Sequence, residues 1–462
     1  MKRMKKILIF LLFGLSWIVL FWLTSSRTPW MIFQKTAEDE GITVSLGDLA
    51  GSNYDRMGFP GGVVRYLSYD DSWLVGTERG ELFHISKEGR TLWMHSLGTG
   101  KIASIALSQD GKIAYLGEKS PDGYLYALDT KTGDILWKYS SEPIIGRNAS
   151  LRSEPAPVHI NVDEEGNIFA AFYRYSVSSD QLRTYISRII AFDPKGHELW
   201  RFPKAENMDA WLTWSSVAAG RMVFGTSNYE NADTLKYNGH AYVLDAKTGD
   251  ELSIIRVPTV DHFDVVIFRN GPNFSPDGKI FVTTSSDGRG FVFDRDSNLL
   301  WQRKIAGPLD AGGLWVNASG RDAYVLPDGN ILFGTINTFA RDNWQIPAPV
   351  VHPSSNSIFI FNPEGTFLWK YQADGEIEET VYASNTIALA IGRNVRTHDY
   401  SVHGAVSLDM TNGSVKHYYH TKGPVQNIAV SADGKTMAGI EVPAVTPEGT
   451  LLGAYRLHIW TI

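Results

Sequence analysis

Apolar and polar residues alternate along most of this chain in short runs, and the runs come in pairs. The clearest pair is Gly123-Tyr-Leu-Tyr-Ala-Leu-Asp129, then Thr-Lys-Thr-Gly133, then Asp-Ile-Leu-Trp137. The alternation predicts two strands and the Asp-x-x-x-Gly segment a hairpin turn. The same pattern recurs at Leu82–Trp93, Ile189–Trp200, Ala241–Ser253, Phe291–Trp301, Ile358–Trp369 and Ala405–His417. Most copies keep a turn Gly and a Trp four residues later. The copy ending at Trp301 loses the Gly, and Ser253 and His417 replace the Trp in two others.

Spacing between these markers runs from 44 residues (Trp93 to Trp137) to 68 (Trp301 to Trp369). That is one four-stranded unit plus loops. The two further strands of a unit show at Ile102–Leu107 and Ile113–Gly117, joined by Ser108-Gln-Asp-Gly111. Similar turns stand at Ser275–Gly278, Pro327–Gly329 and Ser431–Gly434. Each unit therefore reads strand A, turn, strand B, loop, strand C, turn, strand D. An eighth unit supplies A (Val425–Val430), B (Thr436–Val442) and C (Tyr455–Thr461), and then the chain stops. The alternating segment Ile42–Leu46 has no unit of its own and is expected to provide the missing strand D. Joining the two ends of the chain in one blade removes the open edges of a linear array. The expected fold is all-β, an eight-bladed β-propeller, with seven blades the alternative if the last unit stays incomplete.

Composition agrees with an all-β chain. Gly is abundant at 43 residues, aromatics make 12% and charged residues only 20%. Cysteine is absent, which excludes disulfides, thiolate metal sites and a lipid-bearing cysteine. Lys2, Arg3, Lys5 and Lys6 precede an uncharged run from Ile7 to Leu23. That run is at the lower limit for a bilayer span, and its basic flank would stay cytoplasmic. The chain divides into a signal anchor or signal peptide (1–26), a linker (27–41) and the propeller (42–462). Trp17 and Trp22 at interfacial positions suit an uncleaved anchor; Thr24 and Ser26 would serve a cleavage site. Either reading puts the propeller outside the cytoplasm, membrane-anchored or secreted. Without the first 26 residues there remain 39 basic and 50 acidic residues, a net charge of −11. This argues against nucleic acid and against docking on an anionic lipid surface, so the membrane is met through the N-terminal helix alone.

The marker resembles the repeat of pyrroloquinoline-quinone (PQQ) enzyme propellers and of their non-enzymatic relatives. Among the latter is the scaffold lipoprotein of the outer-membrane β-barrel assembly machine. The resemblance covers residues from about 42 to 462. The Ser-x-Asp-Gly turns are also similar to those of WD40 propellers. The resemblance implies a propeller, and it leaves function to whatever site the loops carry.

Loop length points to that site. The expected B–C loops are long at Tyr173–Ser187, Asn228–Gly239, Asn337–Asn356, Arg393–His403 and Pro443–Ala454. In a propeller they open on the same face as the D–A connections. Candidate binding residues on this face are Arg147, Arg152, Trp211, Trp214, His262 and Trp315 from D–A connections. Arg341, Trp344, Arg396 and His398 come from B–C loops. Aromatics with Arg are the composition of interface hot spots and of ligand pockets alike. The recurring Trp93, Trp137, Trp200, Trp301 and Trp369 are read as blade packers, and Asp129, Asp193, Asp245, Asp294 and Asp409 as acceptors for turn N–H groups.

No Gly-x-Ser-x-Gly elbow and no metal-type histidine spacing occurs, so no catalytic residue is assigned. The expected function is a non-catalytic scaffold that holds a protein, peptide or glycan, with no cofactor and no metal. The enzyme alternatives stay open. One is the PQQ- and calcium-dependent dehydrogenase that the resemblance implies. Its vicinal disulfide is impossible here, and its calcium ligands match no motif of this chain. The other is a histidine-dependent arylsulfotransferase.

Overall fold

The computed structural model describes residues 41–47, 61–98, 100–150, 153–178, 183–227, 239–257, 266–268, 272–340, 348, 350–392, 401–446 and 448–462. Residues 1–40, which hold the expected spanning helix, lie outside this set. Among the described residues no helix is long and apolar enough to cross a membrane.

Eight four-stranded antiparallel sheets form eight blades. Blade 1 consists of Gly62–Leu67, Ser72–Thr77, Glu81–Ser86 and Thr91–Ser96. Blades 2 to 7 follow in order over residues 101–140, 156–202, 211–256, 273–304, 320–372 and 376–420. Blade 8 takes Val425–Val430, Thr436–Glu441 and Arg456–Thr461 from the end of the chain and Gly41–Ser45 from its beginning, in the order A, B, C, D. Ile42 pairs with Ile459, and Val44 with Leu457. The expected closure is therefore the one observed, and eight blades, not seven, complete the ring.

Burial explains why strands B and C read as apolar runs. Ser72–Thr77 is buried at every position, while Thr91–Ser96 on the outside of the same blade alternates between exposed and half-buried. Strands B and C have blades on both sides, and strand D faces water along one edge. Each pair of adjacent blades shares an apolar cluster, such as Phe169, Ala191 and Trp200 of blade 3 with Met222, Tyr242 and Leu244 of blade 4.

The repeated turns join one blade to the next. Every C–D hairpin from blade 1 to blade 7 carries a bulge beside its turn, as between Ala127 and Leu128. In blades 2, 3, 4, 5 and 7 the Asp that opens the turn accepts its backbone N–H groups. Asp129 Oδ1 binds the N–H of Lys131 at 2.8 Å and of Thr132 at 3.0 Å. Asp294 likewise binds the N–H of Asp296 and Asn298, at 2.9 and 2.8 Å. The strand D Trp of one blade then lies on the C–D turn of the next. Trp93 Nε1 donates to Thr130 O, Trp137 to Pro194 O, Trp200 to Ala246 O and Trp301 to Pro363 O, over 2.8–3.1 Å. A Cβ placed on the turn glycine would fall 2.7 Å from Trp137 at Gly196 and 2.6 Å from Trp200 at Gly249. These glycines also stand at φ of 84° and 70°. So the turn needs Gly twice over, once for its own backbone and once for the neighbour's indole. Only Trp200 is nearly enclosed, at 8% exposure; the other four are half-buried caps over the seam.

The two irregular copies belong together. Where blade 4 has Ser253 in place of Trp, the turn of blade 5 has Ser297, at φ 73°, in place of Gly. The two hydroxyls meet at 2.5 Å. With no indole above it, the facing turn has no steric need for glycine. His417, the other replacement, has no turn to cover, because strands C and D of blade 8 come from opposite ends of the chain; it stacks on Tyr419 instead. On the far side of blade 8, Ile42 and Val44 take the Trp position over Gly89.

Two outcomes test this account. Ser253→Trp alone should destabilise the fold by about 1–3 kcal/mol through overpacking against Ser297. Ser253→Trp with Ser297→Gly should recover most of that loss, giving a favourable coupling in a double-mutant cycle by chemical denaturation. Additive effects would mean that the two positions are independent. Separately, a chain starting at residue 48 lacks strand D of blade 8 and should melt well below one starting at residue 41.

Candidate functional site

Strand A of each blade lies innermost, and the eight A strands follow one another around the axis. Side-chain bonds join most of them. Arg65 Nε donates to Ile105 O at 3.1 Å, Ser104 Oγ to Pro157 O at 2.6 Å and Asn161 Nδ2 to Ser215 Oγ at 2.6 Å. Ser216 Oγ accepts from Phe274 N at 3.1 Å, and Asn273 Nδ2 donates to Ala323 O at 2.6 Å. Thr380 Oγ1 donates to Asp322 Oδ2 at 2.8 Å, and Asn427 Oδ1 accepts from Val64 N at 2.8 Å. In blades 2, 3, 4, 6, 7 and 8 strand A carries a bulge near its start, for example between Pro157 and His159 and between Gly320 and Ala323. A bulge re-aims the side chains beside it. Here it interrupts the alternation that would otherwise commit Arg321, Glu379 and His159 to one blade face or the other.

The axis is polar and electrostatically strained. Burial pushes Glu379 up to about 7 despite the nearby Arg65 and Arg321 guanidiniums, and Asp322 adds to the rise. Burial alone pushes His159 down to about 4. Its ring lies 5.0 Å from that of Trp214, tilted by 30°. Arg321 approaches the carboxylate of Asp322 at 3.6 Å.

At the face carrying the B–C and D–A connections, three buried carboxylates close strand B onto the entry to strand A. Glu78 accepts the N–H of Gly61 at 2.7 Å, Glu118 that of Gly100 at 3.1 Å and Glu441 that of Gly423 at 2.8 Å. Each has a further partner. Lys101 stands 3.1 Å from Glu78, Tyr126 OH donates to Glu118 at 2.6 Å, and Arg456 Nε and His458 Nε2 reach Glu441 at 2.6 and 2.7 Å. Burial would raise the Glu441 carboxyl, but His458, Arg456 and the Gly423 N–H hold it below its usual value.

Among the described residues, two sets of side chains combine hydroxyl, imidazole and carboxylate, and both are structural in geometry. Ser72 Oγ and Asp70 Oδ2 meet the same His84 nitrogen, Nε2, at 2.7 and 3.1 Å, so the acid cannot orient the ring for the hydroxyl. Ser72 and His84 are also buried, at 1% and 3% exposure. Thr43 Oγ1 meets His458 Nδ1 at 3.2 Å, with Glu441 on Nε2, and this row ties the closing strand to blade 8.

Four of the ten sequence candidates, Arg147, Trp211, Trp214 and Trp315, fall among the described residues. Arg147 is exposed on the D–A connection of blade 2 and pairs with Asp122 at 3.1 Å. Trp211 and Trp214 belong to strand A of blade 4, Trp211–Ala218, rather than to the connection before it. The bulge between Leu212 and Ser215 broke the alternation by which that strand would have been read. Trp214 stands in the bulge with its ring on that of His159, and Trp211 pairs with Ser227 at the start of the strand. Trp315 is half-buried in a small three-stranded sheet of Leu309–Asp310, Trp315–Asn317 and Phe339–Ala340. Arg152, His262, Arg341, Trp344, Arg396 and His398 lie outside the described residues. The expected loop 173–187 is largely ladder: Ile168–Val177 and Arg183–Phe192 pair out to Val177 and Arg183, because the β-prone residues Tyr173, Tyr175 and Tyr185 continue the strands. The axial charges were missed. The available signal was charge interrupting an otherwise apolar strand A, as Arg65 does in Gly62–Leu67 and Arg321 with Asp322 in Gly320–Val325.

These features define an eight-bladed β-propeller with a polar axis and one elaborated face. Over part of the chain the repeats are similar to the PQQ-like type. Residues 43–178 match the family described as outer membrane protein assembly factor BamB. Of the solved structures, BamB from Moraxella catarrhalis is similar at 14% identity and a TM-score of 0.51, covering 91% of this chain and all of that one. The C-terminal WD40 domain of Sif2 has 11% identity and a TM-score of 0.55, covering 91% of this chain and 99% of that one. The quinohemoprotein alcohol dehydrogenase ADHIIG from Pseudomonas putida HK5 also has 11% identity and 0.55, covering 85% of this chain and 73% of that one. At these identities the likeness is one of fold. No curated protein matches the sequence significantly.

The axial groups make a pH prediction with two opposite signs. His159 titrates near 4 when folded and near 6.5 when unfolded, so it removes stability as pH falls from 6.5 to 4. Glu379 titrates near 7 folded and near 4.5 unfolded, so it removes stability as pH rises from 4.5 to 7. Each effect is bounded at about 3 kcal/mol. In chemical denaturation, His159→Asn should flatten the acid-side loss, and Glu379→Gln should flatten the loss between 4.5 and 7. A profile unchanged by either variant would show that the axial groups do not carry these shifts.

Proposed function

We propose that this chain is an extracytoplasmic, membrane-tethered propeller that acts as a non-catalytic scaffold, holding a protein partner on the face that bears the B–C and D–A connections. The observation that carries the reading is the placement of everything added to the blades. Among the described residues, the sheet around Trp315, the hairpin of Ala444–Val445 with Leu451–Leu452, the extended Ile168–Phe192 hairpin and the short helix Glu142–Ile145 all stand on that face. The opposite face is made of tight turns. Loops held on a rigid frame are where binding concentrates. The match of residues 43–178 to a family described as an assembly factor supports a protein as the partner. The basic, then apolar N-terminal sequence supports the tether.

A second reading, the PQQ-dependent dehydrogenase, is favoured by one observation: a charged axis occupies the centre of the propeller. It calls for a quinone and calcium, and neither has an assigned ligand set in this chain.

Thermal melts of the purified chain separate the two. PQQ with calcium should leave the melting temperature unchanged; a shift of several degrees would mean binding to the native state and favour the enzyme. On the scaffold reading, Arg147→Glu with Trp315→Ala should reduce capture of partner proteins in crosslinking by tenfold or more, with the melting temperature within about 2 °C. Undiminished capture would move the partner off this face.

A further inference from the structure

The direction of the closing strand fixes where the tether leaves the propeller. In each blade, strands A and C run from the elaborated face to the turn face, and strands B and D run back. Gly41–Ser45 is a strand D. Its first residue, Gly41, pairs with Trp460 near the end of strand C, and its last, Ser45, pairs with Arg456 at the start. Ile42 packs on Gly89 in a C–D turn, and Leu46 N donates to Tyr455 O at 3.1 Å beside the B–C connection. Gly41 is therefore at the turn face. The other end of the chain agrees: Ile462 N donates to Lys435 O, in an A–B turn, at 2.8 Å.

We infer that, on the membrane, the turn face of the propeller looks toward the bilayer and the elaborated face looks away, open to a soluble partner arriving from the aqueous side. This rests on the tethered reading above. The linker decides how firmly the orientation is set. Residues 27–40 number fourteen. To invert the propeller, this segment would have to climb the full height of a blade. Strand A of blade 2, Lys101–Leu107, has seven residues, or about 23 Å, before any loop is added. An inverted propeller therefore needs the segment before Gly41 to run back along the wall of blade 8, while the upright one does not. The closing strand also resists being peeled inward from its base. Thr43 is tied to His458, and His458 to the buried Glu441.

The absence of cysteine gives a clean background for the test. Single cysteines are introduced into the full chain in two pairs, each within one region of the ring. Lys131→Cys and Glu364→Cys lie in C–D turns, and Arg147→Cys and Leu314→Cys lie on the elaborated face; all four positions are exposed. Each variant is labelled with a fluorophore, reconstituted into phosphatidylcholine vesicles and floated. Energy transfer to an acceptor in the lipid headgroups is then measured. The expected result is that Lys131 and Glu364 labels transfer at least twofold more efficiently than their partners at Arg147 and Leu314. Equal transfer within the pairs, or the reverse order, overturns the orientation. If the chain does not float with the vesicles, the tethered reading itself fails and takes the orientation with it. Unchanged melting temperatures establish that the labels report on folded protein.

Discussion

The contact on which the rest of this propeller depends is the one between the outer strand of each blade and the last turn of the next. A propeller blade is a twisted sheet that cannot cover both its faces alone, and adjacent blades diverge outward from the axis. Near the axis the A strands are already bonded to one another. At the rim, something broad must span the widening seam. An indole does so with one hydrogen bond and one flat face, and the turn beneath it gives way by having no Cβ. Gly196 and Gly249 are thus answers to two demands at once, positive φ and a neighbour's ring. Ser253 and Ser297 show the converse: when the ring is gone, a side chain returns on the turn.

Closure obeys the same logic. Seven of the outer strands follow their own blade in sequence, and the eighth comes from the opposite end of the chain. Pairing the ends converts two exposed strand edges into one ladder and gives blade 1 a neighbour on its open side. Ile42 and Val44 do over Gly89 what tryptophans do elsewhere. His417 has no turn to cover, and its place in the pattern is empty for a topological reason rather than a local one.

The two ends of the axis differ because the two kinds of connection differ. Short Asx and Ser-Asp-Gly turns satisfy their own backbone groups, as Asp129 and Ser108 do. The longer connections on the other side enter strand A with N–H groups that no turn satisfies. Buried Glu78, Glu118 and Glu441 accept them, each offset by a cation or hydroxyl. This arrangement ties the end of strand B to the entry of strand A on the elaborated face, and it places charge around the mouth of the axis.

The sequence by itself determined the repeat, the hairpin turns, the blade Trp positions and the identity of the closing strand. These rest on contacts within a few residues of one another, or on a pattern copied from unit to unit, and local periodicity records both. It misplaced Trp211 and Trp214, and it read the ladder around Tyr175 and Tyr185 as loop, because a bulge or an extended hairpin breaks the usual strand length and period. Only the tertiary structure decided that Arg65, Arg321 and Glu379 share one axis, that Glu379 and His159 are driven toward their neutral forms, and that Ser253 answers Ser297. Those groups stand 44 or more residues apart in the chain. Each is an ordinary strand or turn residue in its own unit, and it acquires its environment only when eight units meet around an axis.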